Sequence, residues 1–232
     1  MNGILYGAGV GPGDPELMTL KAVRLIKENE IIALPGPSAK ETVAYQIAVK
    51  AVPELAEKNL LSVDMPMTHD KEEMRQNHEK AADAIEAYLK QGQNVVFLTL
   101  GDPTIYSTYL YVQKRILARG YQAELVSGIT SFCAAAARTC TSLAEWDEQL
   151  HILPAVHKLN SDLSLPGNYV LMKSGRKMHQ VKEILKSSGR QVVMVENCGM
   201  ENEHIYRSAD EIPDDAGYYS LISAKEPGGG HD

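Results

Sequence analysis

The 232-residue chain lacks the features of membrane-spanning, secreted and disulfide-linked proteins. No apolar run approaches the roughly 18 residues that a membrane span needs, and the stretch from Met1 to Tyr6 lacks the basic start and apolar run of a signal peptide. Its three cysteines, Cys133, Cys140 and Cys198, form no C-x-x-C pair and are a poor basis for a disulfide framework. These absences predict a cytoplasmic protein that does not enter a membrane.

The chain also lacks a basic excess and a metal-ligand pattern. It carries 30 acidic and 23 basic residues, which gives a formal net charge of −7. A protein that binds nucleic acid through its phosphates needs a surplus or cluster of Lys and Arg, so we expect no nucleic-acid partner. The seven histidines show no H-x-x-x-H or other metal spacing, and we expect no metal site.

Short apolar runs alternate with amphipathic stretches, which predicts an α/β fold. Little helical sequence separates the last strands, so we expect part of the second sheet to be antiparallel. We place the domain boundary near Gly120, with domains at 1–120 and 121–232. The predicted strands are 4–6, 31–34, 60–63, 94–100, 123–126, 151–153, 169–173, 192–195, 205–207 and 218–223. One helix is predicted to begin at Asp14. The other predicted helices span 43–51, 70–89, 107–119, 130–139 and 177–188.

The first motif is a glycine loop, in which Gly7 to Pro15 reads GAGVGPGDP. Glycines after a strand allow a backbone to approach a ligand closely. A dinucleotide fingerprint is excluded because G-x-G-x-x-G would need glycine where Pro12, Asp14 or Glu16 stands, and no Gly-Lys-Ser/Thr follows for a phosphate loop. The loop therefore either binds another kind of ligand or only reverses the chain.

The second motif follows the most apolar strand, where residues 100–108 read LGDPTIYST. If that strand is parallel, Asp102 lies at the carboxyl edge of the sheet, where open α/β folds bind ligands. Asp102 could equally cap the helix that follows Pro103. The residues alone leave both roles open.

The third motif is a run of small residues, in which 126–138 reads VSGITSFCAAAAR. Small side chains over two helical turns allow a helix to lie close to a sheet or to a flat ligand. Close packing alone would explain the pattern equally well. Cys133 and Cys140 fit small buried apolar residues better than nucleophiles, because no activating partner is evident.

In order and spacing, the three motifs resemble the tetrapyrrole methylase family. Its marks are an N-terminal G-x-G-P-G-D-P, a central G-D-P and a later G-I-T/S, and the resemblance covers essentially the whole chain. Residues 5–22, 143–154 and 169–175 resemble the branch that methylates C20 of precorrin-2 or cobalt-factor II in cobalamin synthesis. The resemblance implies a homodimer of two-domain α/β chains that binds S-adenosylmethionine in the cleft between the domains.

The resemblance also implies which residues bind the cofactor. Transferred motif by motif, they are Pro12, Leu100, Gly101, Asp102, Ile105, Thr130 and Ser131. Met172, Lys173 and Ser220, with Tyr219 beside it, are weaker transfers, since the stretch after Tyr219 departs from the family's apolar pattern. No residue is identified as a general base.

The implied substrate is a tetrapyrrole that bears many carboxylates, so an acidic protein needs a locally basic pocket. Arg138, Lys173, Arg176 and Lys177 are candidates for it, and each could equally be a solvated charge. Within the family, methylation of uroporphyrinogen, diphthamide or ribosomal RNA is an alternative. A non-catalytic nucleotide-binding module is an alternative of another class.

Overall fold

The computed structural model describes residues 1–66, 68, 70–154 and 163–227. The chain forms two compact units, Met1–Thr130 and Ser131–Asp232. The first unit extends ten residues past the expected boundary at Gly120. The reason is strand Gln122–Val126, which pairs in parallel with the first strand of the chain from Ile4 to Ala8.

The first unit is a parallel sheet covered by helices. In the described residues its strands follow the order β3-β2-β4-β1-β5, and every pair is parallel. The strands are β1 Ile4–Gly9, β2 Ile31–Pro35, β3 Asn59–Val63, β4 Val95–Thr99 and β5 Gln122–Val126. The helices are α1 Leu20–Glu28, α2 Val43–Ala51, α3 Lys71–Leu89 and α4 Tyr109–Ala118.

Strand β4 shows why both faces of this sheet are apolar. Val96 and Leu98 pack into a cluster that includes residues of α1 and α2. Val95 and Phe97 point the other way, into a cluster with residues of α3 and α4. A strand of a parallel sheet buried on both faces requires such an unbroken apolar run. This run is why β4 could be predicted from the sequence.

The helix predicted at Asp14 begins later than expected. Asp14 does cap a turn, since its Oδ1 accepts a 2.9 Å hydrogen bond from the Glu16 N–H, but this turn is a short 3₁₀ segment. Met18 then adopts an extended conformation, and Thr19 caps α1 through a 3.3 Å bond from the Ala22 N–H. Leu20, the first residue of α1, is 88% exposed.

The second unit contains a mixed sheet, as expected. Its strands follow the order β6-β7-β10-β8-β9 in the described residues. Only the β6–β7 pair among them is parallel. The strands are β6 Leu150–Pro154, β7 Asn168–Met172, β8 Gln191–Glu196, β9 His204–Tyr206 and β10 Ser220–Lys225. The α-helices in the described part of this unit are α5 Ser131–Thr139 and α6 Met178–Ser187.

The last strand lies two residues further along the chain than predicted, at Ser220–Lys225 instead of 218–223. Tyr218 and Tyr219 form a turn, and β10 begins only at Ser220. From there, Leu221 pairs with Met172 of β7 and with Val195 of β8. None of the helices in the described ranges is long and apolar enough to cross a bilayer.

Candidate functional site

In the first unit the carboxyl ends of β1 and β4, which are neighbours in the sheet, lie side by side at one edge. The chain leaves β1 towards α1, whose residues Ala22 and Leu25 pack on one face. It leaves β4 towards α4, whose residues Val112 and Ile116 pack on the opposite face. Adjacent parallel strands whose connections depart to opposite faces form a topological switch point, where open α/β sheets bind ligands.

Glycines of the three motifs meet at this edge through their backbones. The Gly101 N–H donates to the Gly11 carbonyl at 2.8 Å, and the Gly11 N–H donates back to the Gly101 carbonyl at 3.3 Å. A Cβ added to Gly9 would lie 2.8 Å from the Gly128 Cα and would overlap the Gly101 carbonyl. Only glycine allows this approach, so the motifs form one connected structure.

The Asp102 side chain joins the second and third motifs. Its Oδ1 accepts hydrogen bonds from the Thr104 N–H, at 2.7 Å, and from the Thr104 hydroxyl. Its Oδ2 accepts a 2.9 Å bond from the Gly128 N–H. The residue is 8% exposed. The carboxylate therefore closes its own turn and holds the neighbouring loop, a role that neither sequence-based alternative described.

Beyond Asp102, the loop is fixed a second time before α4 begins. The Ser107 and Thr99 hydroxyls hydrogen-bond at 2.9 Å in a buried position, and Ser107 Oγ accepts from the Tyr109 N–H at 3.2 Å. Tyr109 itself is fully buried, and its hydroxyl donates to the Glu124 carbonyl at 2.9 Å. A Cβ on Gly7 would overlap the Tyr109 ring, so glycine is required there to admit the tyrosine.

The remaining predicted residues of the first unit supply apolar surface and one unpaired hydroxyl. Pro12 is buried, whereas Leu100 and Ile105 are half-buried. Thr130 Oγ1 is shielded from solvent and has no hydrogen-bond partner among the described residues. A shielded polar atom without a partner is costly, so this hydroxyl is suited to a ligand group. Ser131, the next residue, is half-buried and begins α5.

Three predicted residues of the second unit, Met172, Lys173 and Ser220, lie together at one end of its sheet. Met172 ends β7 opposite Leu221 of β10, so Lys173 follows beside Ser220. Lys173 has a positive φ of 59°, an uncommon conformation for a residue with a side chain. Ser220 is 4% exposed, and its hydroxyl donates to the Gly217 carbonyl at 2.7 Å. Ser174 is fully buried, and its hydroxyl lacks a hydrogen-bond partner in the described chain.

The four basic candidates differ in their ion pairs and in their exposure. Arg138 forms an ion pair with Glu203, with 2.6 Å between Nε and Oε1, whereas Lys177 is exposed. The Arg176 side chain lies outside what the structure describes. Lys173 Nζ lies 6.0 Å from the centroid of the Tyr218 ring. Tyr218 was not among the residues predicted from the sequence, although it stands in a Tyr-Tyr pair after Gly217 and before an apolar strand.

Tyr109 is one of the residues of the first unit whose pKa is shifted. Burial raises the pKa of the Tyr109 phenol well above its ordinary value of 10.0, because the phenolate would lose its hydration. Tyr109 is therefore a neutral hydrogen-bond donor across the physiological pH range.

Within the described ranges, no three His, Cys, Asp or Glu side chains cluster as metal ligands.

Comparison with known proteins places this geometry in context. A family model described as tetrapyrrole (corrin/porphyrin) methylases matches residues 4–212. A Methanocaldococcus jannaschii protein named probable cobalt-precorrin-2 C(20)-methyltransferase is 34% identical over 203 residues, which cover 87% of this chain and 85% of that protein. A Sinorhizobium protein named precorrin-2 C(20)-methyltransferase is 31% identical over 236 residues, which cover 95% and 94% of the two chains.

A solved structure shares the fold. Uroporphyrin-III C-methyltransferase from Thermus thermophilus, complexed with S-adenosylhomocysteine, superposes with a TM-score of 0.64 at 23% identity. The match covers 97% of this chain and 98% of that one. At this identity the likeness concerns the fold, and it confirms the α/β architecture predicted from the alternation of apolar runs and amphipathic stretches.

Proposed function

The chain belongs to the tetrapyrrole (corrin/porphyrin) methylase family, and from this premise we propose that it transfers a methyl group from S-adenosylmethionine to C20 of precorrin-2 or its cobalt form. The observation that carries the proposal is the 34% identity, over most of both chains, to a relative named for that reaction with cobalt-precorrin-2. The relative named for metal-free precorrin-2 is similarly close, so both substrates stand in the proposal. The reaction belongs to cobalamin synthesis.

The residues of the first unit fit the cofactor. Pro12, Leu100 and Ile105 provide apolar groups in the loops after β1 and β4, and Thr130 provides a shielded hydroxyl that has no hydrogen-bond partner among the described residues. We propose that these residues and the backbone of Gly101 hold S-adenosylmethionine. The family resemblance implies Ser131, Met172 and Ser220 as further cofactor residues, and we propose that role for them as well. S-adenosylmethionine supplies an electrophilic methyl group on a sulfonium.

The role of Asp102 in this site is to position other groups. Its two oxygens accept hydrogen bonds from Thr104 and Gly128, so it orders both loops that would contact the cofactor. Methyl transfer to an electron-rich carbon needs alignment and exclusion of water more than strong chemical activation. Loops fixed by buried hydrogen bonds are suited to that task. The C20 carbon gains the methyl group and releases a proton, and no residue is assigned to accept it.

Two further proposals concern the state of the protein in the cell. We propose a homodimer, on the strength of the family resemblance. We also propose a cytoplasmic location. None of the three cysteines forms a disulfide, and Cys133 and Cys140, which the sequence predicted to be buried, are exposed. Exposed free thiols suit a reducing compartment.

The proposed reaction is tested by incubating the protein with S-adenosylmethionine and either precorrin-2 or cobalt-precorrin-2. A product that has gained one methyl group at C20, by mass and NMR, would support it. The substrate that is methylated faster would show whether the protein acts on the metal-free or the cobalt-containing tetrapyrrole. Methylation of uroporphyrinogen III alone would assign the chain to another branch of the family. Calorimetric binding of NAD or ATP, with no binding of S-adenosylmethionine, would favour a nucleotide-binding module. A chelator should change neither binding nor turnover.

A further inference from the structure

The second unit places two tyrosines and a lysine side by side at one end of its sheet. Met172 of β7 pairs with Leu221 of β10, so Lys173, just after β7, lies next to the Tyr218–Tyr219 turn that precedes β10. Lys173 Nζ is 6.0 Å from the Tyr218 ring centroid, which is within the range of a cation–π contact. The two tyrosine rings meet edge to face with centroids 5.3 Å apart.

The backbone on both sides of this cluster is fixed. The Asn197 N–H donates to the Tyr219 carbonyl at 3.1 Å, and the Ser220 hydroxyl closes the turn on Gly217 at 2.7 Å. Lys173 is held at a φ of 59° and is followed by the fully buried Ser174. Such a conformation costs free energy in a non-glycine residue and persists only where the surroundings enforce it, often at ligand sites.

The cluster is nevertheless open to solvent. Tyr218 is 50% exposed and Tyr219 is 40% exposed, although both rings are large and mostly apolar. The nearby acidic residue Glu196 has its carboxylate engaged, since Oε1 accepts from the Gly217 N–H. The surface therefore combines exposed aromatic area with an ammonium group, and its acidic neighbour is hydrogen-bonded.

We propose that Lys173, Tyr218 and Tyr219 bind the tetrapyrrole: the tyrosines contact the face or edge of the macrocycle, and the Lys173 ammonium pairs with one of its carboxylates. The inference rests on the proposed function, because the ligand must be a flat ring with anionic side chains. It assigns Lys173 to the substrate, whereas the sequence transfer assigned it to the cofactor. Aromatic faces favour large flat ligands, and an ammonium favours carboxylates.

The test separates substrate binding from cofactor binding. Full-length Lys173→Met, Lys173→Arg and Tyr218→Leu variants are saturated with S-adenosylhomocysteine and titrated with precorrin-2 and cobalt-precorrin-2 by calorimetry. We expect Lys173→Met and Tyr218→Leu to raise the Kd for the tetrapyrrole about tenfold. The Kd for S-adenosylhomocysteine should stay unchanged, and Lys173→Arg should restore most of the tetrapyrrole affinity. In turnover assays KM should rise more than kcat falls.

Matched controls guard against nonspecific effects. Tyr111→Leu removes a tyrosine of similar exposure, 46%, and Lys186→Met removes a lysine paired with Asp210. Both should bind the tetrapyrrole as the wild type does. If the wild type methylates the tetrapyrrole and Lys173→Met binds it normally, the inference is overturned and the proposed function stands. Equal weakening of S-adenosylhomocysteine binding would also overturn it. A wild type that neither binds nor methylates a tetrapyrrole would overturn both proposals.

Discussion

Asp102 Oδ2 accepts a 2.9 Å hydrogen bond from the backbone N–H of Gly128, 26 residues further along the chain. The other oxygen, Oδ1, accepts from the Thr104 N–H at 2.7 Å. One buried carboxylate thus satisfies backbone donors of two loops, each of which carries predicted cofactor residues. Because both oxygens are engaged, a change at Asp102 should alter the geometry of the site before it alters any direct contact with a ligand.

The first prediction is that Asp102→Asn destabilises the protein. An amide offers one oxygen and one NH₂ group, so either the Gly128 or the Thr104 N–H would face a donor and lose its partner. Both hydrogen bonds are partly buried, so the loss of one should cost about 1 kcal/mol, at the lower end of the range for an unsatisfied donor. Chemical denaturation should show a lower free energy of unfolding, and cofactor affinity should fall as well.

Asp14→Asn is the matched control, since Asp14 Oδ1 accepts a hydrogen bond from the Glu16 N–H alone. An asparagine caps such a turn about as well as an aspartate, so this variant should unfold like the wild type. If Asp102→Asn were equally silent, the carboxylate bridge between the loops would not be needed for stability.

The second prediction compares two glycines that differ in what a side chain would meet. At Gly128 a Cβ would overlap the Gly101 carbonyl and lie 2.9 Å from the Gly9 Cα. At Gly120 a Cβ would meet nothing within 4 Å, but φ is +84°. Gly120→Ala should cost about 1–2 kcal/mol from backbone strain alone. Gly128→Ala should cost about 3 kcal/mol, because overpacking against backbone cannot relax through a side chain.

Denaturation of both variants, with S-adenosylhomocysteine titrations, measures the difference. Gly120→Ala should retain wild-type affinity, whereas Gly128→Ala should lose most of it, because its loop would have to move away from Gly9 and Gly101. Equal stability and equal affinity in the two variants would contradict the close packing of the three motifs.

The strands could be located from the sequence because their apolar runs are continuous and end in turn residues. β4 was predicted as 94–100 and spans Val95–Thr99. The helix start at Asp14 was wrong, since α1 begins at Leu20. Asp14, Pro15 and Glu16 favour any helical turn, and they cannot distinguish a 3₁₀ turn from the start of a long helix.

The site was harder to predict because its bonds connect distant residues. Motif order identified the loops, but nothing local to Asp102 indicated that Gly128 would donate to it. The resemblance to a family pointed to Lys173 through strand position alone. Its positive φ and its approach to Tyr218 depend on how β7 and β10 pair, and that pairing joins segments about 50 residues apart.

The third prediction concerns stability at alkaline pH. Burial raises the pKa of Tyr109 above 10.0, so from about pH 10 upward the unfolded chain loses this proton while the folded chain keeps it. The stability contributed by the neutral phenol is thus complete below pH 10 and is lost as pH rises above it. One such group contributes a slope of up to about 1.4 kcal/mol per pH unit.

Tyr109→Phe separates this effect from that of other tyrosines. At pH 7 the variant should be about 1 kcal/mol less stable, because the Glu124 carbonyl loses its 2.9 Å hydrogen bond. Above pH 10 its stability should fall less steeply than that of the wild type, so the two curves should converge. Denaturant titrations at pH 7 and between pH 10 and 11 test this, and parallel curves would contradict it.

The fourth prediction is that the protein is a homodimer in solution. Multi-angle light scattering should give a mass near twice the 25.4 kDa of one chain, and the mass should hold on dilution across the concentrations used in activity assays. A mass near that of a single chain would count against the dimer.

The last prediction uses the unpaired hydroxyl of Thr130, whose Oγ1 is shielded from solvent without a partner in the described residues. Thr130→Val replaces this hydroxyl by a methyl group of similar shape. Without cofactor, the variant should match or exceed the wild-type melting temperature, because an unsatisfied buried polar atom is removed. With cofactor, it should lose one hydrogen bond, about 0.5–1.5 kcal/mol, which corresponds to about a 2- to 13-fold higher Kd. Thr130→Ser keeps the hydroxyl and should bind S-adenosylhomocysteine within about twofold of the wild type.

A variant whose melting temperature is unchanged or higher while its cofactor affinity is lower identifies a hydroxyl that serves a ligand. A residue needed only for packing would lower both the melting temperature and the affinity. Calorimetric titration with S-adenosylhomocysteine, beside thermal unfolding of the free protein, makes the measurement. A Val variant that binds the cofactor as tightly as the wild type would remove Thr130 from the site.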